Sequence, residues 1–375
     1  MVPTPSQVFA SRTQLLRFSV VTASLATVIL ISMIAFNLWL DPSGMFTPEG
    51  RLRAQADSLL AGRNLLNLGN YDERAFQEIW ISKRSQHPSL VILGSSRVMG
   101  LSPAQLGEPS GANHAVSGAM LEDLLALVAD LARHGQLPRR LLIGLDPWML
   151  NVRNSHQYDY GIFEDYAAML DSLGFPKPNP WGAKVRGWRD RGRAVVSPVL
   201  FQTGLRQMLV SVWQGVPRPG CWFTSDKPDP RFDRYEPDGT YTFPPSLLNR
   251  MDTAAISAAA IAWVVGGHSL MEGFDSVDVG YLKRWWRLLD WLKERGVQVT
   301  LYLPPFHPAA WGAMQKRPEG RLLIKVEELV RREALSKSVV VVGSWDNQQV
   351  GLYPGDFLDA THIRREAFPR VLRMR

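Results

Sequence analysis

Residues Leu90 to Gly100 read LVILGSSRVMG: four apolar side chains in a row, then a glycine, two serines and an arginine. A short run that is apolar at every position fits a strand buried on both faces, as in parallel sheets. The chain beyond it alternates in kind. Strands are expected at Leu90–Leu93, Asn113–Val116, Leu141–Leu145, Val297–Leu303 and Val339–Val342, and helices at Leu121–His134, Val279–Arg295 and Leu322–Ala334. That alternation predicts an α/β fold, with a parallel sheet covered by helices on both faces in three layers. In WWRLLDWLKERGVQVTLYLPP, Trp286, Leu289 and Leu292 recur at helical spacing before Gly296 ends the helix and a buried strand follows.

In such a sheet ligands gather at the carboxyl ends of the strands, where GSSR falls. Gly94 permits a sharp exit from the strand. A serine on the next turn presents its hydroxyl to the crevice, and its own N–H can face an oxyanion. A serine needs a base to remove its proton. Near the C-terminus, GDFLDATHIRREAF places Asp359 and His362 three residues apart, close enough on one helical turn for the carboxylate to hold the imidazole. The order along the chain is Ser, Asp, His. Against this stand plainer roles: Ser95 or Ser96 capping a helix, Asp359 in a turn, and His362 on a surface.

On these motifs the chain resembles the SGNH, or GDSL-like, hydrolase superfamily. GSSR matches the family's Gly-Asp-Ser block, with Ser95 in the Asp place and Ser96 as nucleophile. In NHAVSGAM, Gly118 stands like the family glycine that donates its N–H to the oxyanion hole beside Ser96. Asp359-Ala-Thr-His362 matches the Asp-x-x-His block. The family's Gly-x-Asn-Asp block departs here to GLDPWMLN, which has no asparagine at the oxyanion position. The resemblance implies a three-layer α/β/α domain and a Ser96–His362–Asp359 triad. It implies an acyltransferase or esterase acting on acyl esters of a cell-envelope polymer or glycan, with no cofactor. The anchor and the GSS variant resemble the D-alanyl transfer protein of teichoic acid D-alanylation and the extracytoplasmic partners of polysaccharide O-acetylation. These imply a membrane-bound O-acyltransferase as partner. The alternative is a non-catalytic scaffold of the same fold that positions such an enzyme.

Four further residues lie near the expected rim. Ser95, Arg97, Asp146 and His307 are candidate substrate contacts, although a cap for Ser95, a structural salt bridge for Arg97 and a turn at Asp146-Pro147 are at least as natural.

Upstream, no residue from Phe18 to Leu40 is charged. At about 1.5 Å per residue that run reaches across the ~30 Å hydrocarbon core as a single helix. Arg12 and Arg17 precede it, whereas Asp41 and Glu49 follow. The positive flank predicts an N-terminus inside the cytoplasmic membrane and the remaining chain outside it, in the periplasm or its equivalent. A cleaved signal peptide is disfavoured by the ending FNLWLDP, which lacks a small-x-small site. The expected organisation is an anchor over 1–42, a linker and stalk over 43–88, and a catalytic domain over 89–375. An insertion or cap occupies about 151–275, where Pro, Gly, Arg and aromatics break the pattern.

Composition narrows the rest. The net charge of +7 comes without a dense basic block interleaved with aromatics, so nucleic acid is not an expected partner. Cys221 is the single cysteine, which excludes an intrachain disulfide and a cysteine zinc site. No nucleotide-binding glycine motif and no H-E-x-x-H occurs, and no metal is implied.

Overall fold

The computed structural model describes residues 5–151, 153, 162–218, 220–267 and 271–372. Along the chain come α1 (Pro5–Leu40), α2 (Glu49–Leu60), β1 (Asn64–Leu66), α3 (Glu73–Lys83), β2 (Leu90–Leu93), α4 (Ser96–Met99), β3 (Ala112–Asn113), α5 (Leu121–Arg133) and β4 (Arg140–Gly144). Next are α6 (Phe163–Ser172), α7 (Pro180–Val195), α8 (Pro198–Gln214), β5 (Phe223–Ser225), β6 (Arg234–Tyr235), β7 (Tyr241–Thr242), α9 (Pro245–Leu248) and α10 (Thr253–Val265). The last are α11 (Val279–Glu294), β8 (Gln298–Leu303), α12 (Pro308–Met314), α13 (Pro318–Ser336), β9 (Val340–Gly343) and α14 (Phe368–Val371). They form two compact units: residues up to Thr47 with Gly69–Asp72 and Val185–Cys221, and the remainder.

The larger unit is built on a five-stranded sheet of order β3-β2-β4-β8-β9, parallel at every pairing. Register follows the two-residue period of the side chains. Val91, Leu93, Leu141, Ile143, Leu301 and Leu303 share one hydrophobic core with α5, α11 and α13. Leu90, Ile92, Leu142, Tyr302 and Val342 share the other with Val98, Phe357, Ile363 and Phe368. Long helices therefore cover one face. The other is covered by short turns and the irregular C-terminal run, where a layer of full helices was expected. Burying each of these large side chains contributes about 1.5–3 kcal/mol, which a turn can collect as well as a helix can.

Most of the stretch expected as a linker and stalk, residues 48–68 and 73–88, belongs to this unit instead. Leu52, Ala56 and Leu59 of α2 and Phe76, Ile79 and Trp80 of α3 are buried. Between the two helices, β1 pairs antiparallel with β5 and β6, inside a four-stranded sheet of order β5-β1-β6-β7. Nor is the stretch from 151 to 275 one cap. Residues 152, 154–161, 219 and 268–270 lie outside the described residues; of the rest, α6 buries Tyr166, Met169 and Leu170 in the core with α5. The strands β5 to β7 extend the antiparallel sheet, and Val185–Cys221 joins the smaller unit.

In that smaller unit α1 is, among the described residues, the one helix long and apolar enough to cross a membrane. Its qualifying stretch runs Arg12–Leu40, and none of its apolar window is buried. Near its end Asn37 is 2% exposed, and its amide donates to the carbonyls of Val195 (3.0 Å) and Ser197 (3.1 Å). Val195 is the last residue of α7, where a helix leaves acceptors unsatisfied, and Ser197 is the N-cap of α8.

Candidate active site

The strand β2 ends at Leu93, and Gly94 turns the chain with φ +147°. A Cβ at Gly94 would stand 2.8 Å from Val98 Cγ2 and 3.1 Å from the Gly144 carbonyl, so only glycine fits. Ser95 is the N-cap of the next turn. Its hydroxyl accepts from the Arg97 N–H at 3.2 Å, which leaves Ser96 as the first helical residue. At the other end of that turn the Asn113 amide donates to the carbonyls of Val98 (2.8 Å) and Leu101 (2.9 Å). One side chain on β3 thus fastens the end of the turn carrying Ser96, adding a donor to the Val98 carbonyl, which also accepts from the Leu101 N–H at 3.0 Å.

Asp359 and His362 do not share a helical turn. They lie in a tight loop closed by a bridge between Phe357 and Ile363 and by Leu358 N–H donating to His362 O at 2.8 Å. The aspartate itself shapes the loop. Its Oδ1 accepts from the backbone N–H of Thr361 (2.8 Å) and His362 (2.9 Å), an Asx-type turn that side chains of this length favour. Its Oδ2 lies 2.8 Å from His362 Nδ1, so that nitrogen carries the hydrogen and Nε2 is left as an acceptor. His362 Nε2 stands 2.9 Å from Ser96 Oγ. Three residues separated by up to 266 positions form one continuous relay. Burial pushes the Asp359 carboxyl up, but the His362 imidazole and the two N–H donors outweigh it and hold the group well below the usual carboxylate range. Phe243 sits 4.9 Å from the imidazole, ring centroid to centroid.

The Val116 N–H donates to the Gly94 carbonyl at 3.0 Å, which brings the loop after β3 beside the loop after β2. Two residues on, Gly118 has φ +59°, and its neighbour Ser117 is held through backbone and hydroxyl by the Glu73 carboxylate. Among the described residues, neither the Ser96 nor the Gly118 N–H has a protein acceptor.

The four rim residues are placed differently from expectation. Ser95, Arg97, Asp146 and His307 are all buried, with Arg97 the most exposed at 2%. None of the four stands on the surface, although His307 Nε2 and Asp146 Oδ2 are buried without a hydrogen-bond partner. Arg97 donates to Asp146 Oδ1 (2.8 Å), to the Thr361 carbonyl (3.1 Å) and to the Pro304 carbonyl (2.5 Å), and its guanidinium lies 4.1 Å from the Phe306 ring centroid. It therefore ties the turn carrying Ser96 to the loops after β4 and β8 and to the loop holding His362. Burial pushes the Arg97 guanidinium down and the Asp146 carboxyl up, and each partner opposes the other's shift. His307 caps α12, its Nδ1 accepting from Ala309 N–H at 3.0 Å, while its backbone N–H donates to the Ala360 carbonyl at 3.0 Å.

Sequence reasoning missed Asn113, Phe243 and Thr361 as contributors. Asn113 had a signal in its place at the head of NHAVSG; Phe243, more than a hundred residues from His362, had none. Among the described residues no cluster of His, Cys, Asp or Glu is arranged to hold a metal ion. A groove of about 1160 Å³ runs along the free edge of β9, between Glu327, Arg331, Gln349 and Arg370, and holds none of the triad. No family model, curated protein or solved structure matches the chain.

Proposed function

We propose that this chain is an SGNH-like serine acyltransferase or esterase, anchored in the cytoplasmic membrane by α1 with its larger unit outside. The observation that carries the reading is the unbroken relay from Ser96 Oγ through His362 to Asp359, at 2.9 and 2.8 Å. A serine meant only to cap a helix has no need of that relay, and Ser95 already supplies the cap.

In the proposed reaction His362 Nε2 takes the proton from Ser96 Oγ as the oxygen attacks the carbonyl of an acyl ester or thioester. Charge grows on the carbonyl oxygen and meets the N–H groups of Ser96 and Gly118. Asp359 stabilises the imidazolium, which then protonates the leaving oxygen or sulfur. The acyl group stays on Ser96 until water or a sugar or polyol hydroxyl, deprotonated by the same histidine, accepts it. The preference for a polymer or glycan acceptor, and for a membrane-bound O-acyltransferase as partner, rests on the resemblance in sequence.

One observation favours the scaffold alternative. Where the family places an asparagine amide, this chain has the buried Asp146 carboxylate paired with Arg97. The hole is left with backbone donors alone. The readings separate in cells: Ser96→Ala abolishes O-acylation of the envelope polymer if the chain is an acyltransferase, raises it if the chain is an esterase, and leaves it unchanged if the chain is a scaffold.

A further inference from the structure

The hairpin α7–α8 is marked by what it leaves uncovered. Within Val185–Cys221, Trp188 is 64% exposed, Val199 69%, Leu209 58% and Trp213 86%. On α8 the exposed Val199, Arg206, Leu209, Val210 and Trp213 fall at spacings of three, four and seven, on one face. The opposite face turns inward at Gly204 and Ser211. The same segment carries six arginines and one aspartate. Among the described residues Arg191, Arg193 and Arg206 have no carboxylate partner.

Where the hairpin meets α1 identifies what covers this face. Phe201 packs on Phe36 at 4.9 Å between ring centroids, and Arg218 lies 4.7 Å from the Trp39 ring centroid. A Cβ on Gly204 would strike Leu40 and Pro42, and Asn37 holds the end of α7. These contacts all fall at the last turn of the apolar helix. If α1 spans a bilayer, that level is the boundary between acyl chains and headgroups, where tryptophan collects. A basic helix with an apolar face lies in that plane.

We infer that α7–α8 is an in-plane membrane element, with Val199, Leu209, Val210 and Trp213 set into the acyl boundary and its arginines on anionic headgroups. The inference rests on the reading of α1 as an anchor. Six arginines on the outer side do not conflict with the charge rule, because they lie some 150 residues past the span and a long domain crosses largely regardless of its charge.

The test uses the full chain in nanodiscs of phosphatidylcholine, with and without phosphatidylglycerol. Spin labels are placed one at a time at Val199→Cys, Val210→Cys and Trp213→Cys on a Cys221→Ser background. Val28→Cys marks the anchor, and Leu335→Cys, on the larger unit, marks solvent. The expected result is oxygen accessibility above that of a water-soluble nickel chelate at all three hairpin sites, as at Val28 and opposite to Leu335. Arg191→Gln/Arg193→Gln/Arg206→Gln should abolish any deepening caused by phosphatidylglycerol. If Val28 reads as lipid while the hairpin sites read like Leu335 in both lipids, the proposal is overturned and the face belongs to a protein partner. If Val28 itself reads as aqueous, the anchor and this proposal fail together.

Discussion

Replacing Arg97 with methionine removes the cation but keeps an unbranched side chain of similar reach against Phe306. Three acceptors then lose their donor. The Asp146 carboxylate, 0% exposed, becomes a buried charge without its cation, a change that costs about 3–5 kcal/mol. The carbonyls of Pro304 and Thr361 each lose a bond of about 1 kcal/mol, giving roughly 5–7 kcal/mol in all. At about 2–4 °C per kcal/mol for a domain of this size, the melting temperature should fall by ~10 °C or more. The double variant Arg97→Met/Asp146→Leu removes the stranded charge and should recover at least ~2 kcal/mol, because the wild-type pair bears its own desolvation cost. It should not recover reactivity at Ser96, since nothing then holds the Thr361 carbonyl beside His362. The assay is thermal unfolding of the detergent-purified chain, read together with its rate of labelling by a fluorophosphonate. A melting temperature for Arg97→Met within a few degrees of wild type would refute the reasoning, and so would a double variant no more stable than the single one.

Asn113→Ala takes the amide from the carbonyls of Val98, Met99 and Leu101, of which Val98 keeps the Leu101 N–H, and should cost about 1–3 kcal/mol in unfolding experiments, with slower labelling of Ser96. Asp359→Asn should leave the fold intact but slow labelling on the order of 10³-fold or more, because the imidazole loses both its tautomer and the charge that stabilises its protonated form. Asp130 offers a check by pH. Burial first, and then Asp165, push its carboxyl up to about 7 in the folded chain. Above the ordinary carboxylate range the unfolded chain has lost this proton while the folded chain still holds it, so stability falls as pH rises from ~4 to ~7. Asp130→Asn should therefore change little at pH 4 and stabilise by about 1–2 kcal/mol at pH 8, after allowing for the weakened bond to Arg133. An unchanged slope of stability with pH in that variant would contradict the assignment.

Much of the larger unit was legible because its signals are local. Leu90–Leu93 is apolar throughout because both sheet faces are covered, and the α11–β8 segment carries its helix, stop and strand within 25 residues. Ser96, Asp359 and His362 could be found because their spacing within each motif is short, although the loop holding the last two is shaped by the Asp359 carboxylate and not by a helix. What escaped was set by distant partners. The three residues of β1 become a strand only through β5 and β6, more than 150 residues away, so the stretch read as a stalk. Arg97 at the end of GSSR carries the same chemistry whether it meets a substrate or a carboxylate; only the fold brings Asp146 to it from 49 positions off. The arginines and tryptophans of α7–α8 broke the α/β pattern because they serve the smaller unit, beside the end of α1.

The central claim is that Ser96 is an activated nucleophile. Its most direct test is covalent labelling of the detergent-purified protein by a fluorophosphonate, with the modified residue located by mass spectrometry. The account predicts a single adduct on Ser96, lost in Ser96→Ala and His362→Ala and retained in Ser95→Ala. A folded wild type that takes no label, or an adduct that survives His362→Ala at the wild-type rate, would contradict it.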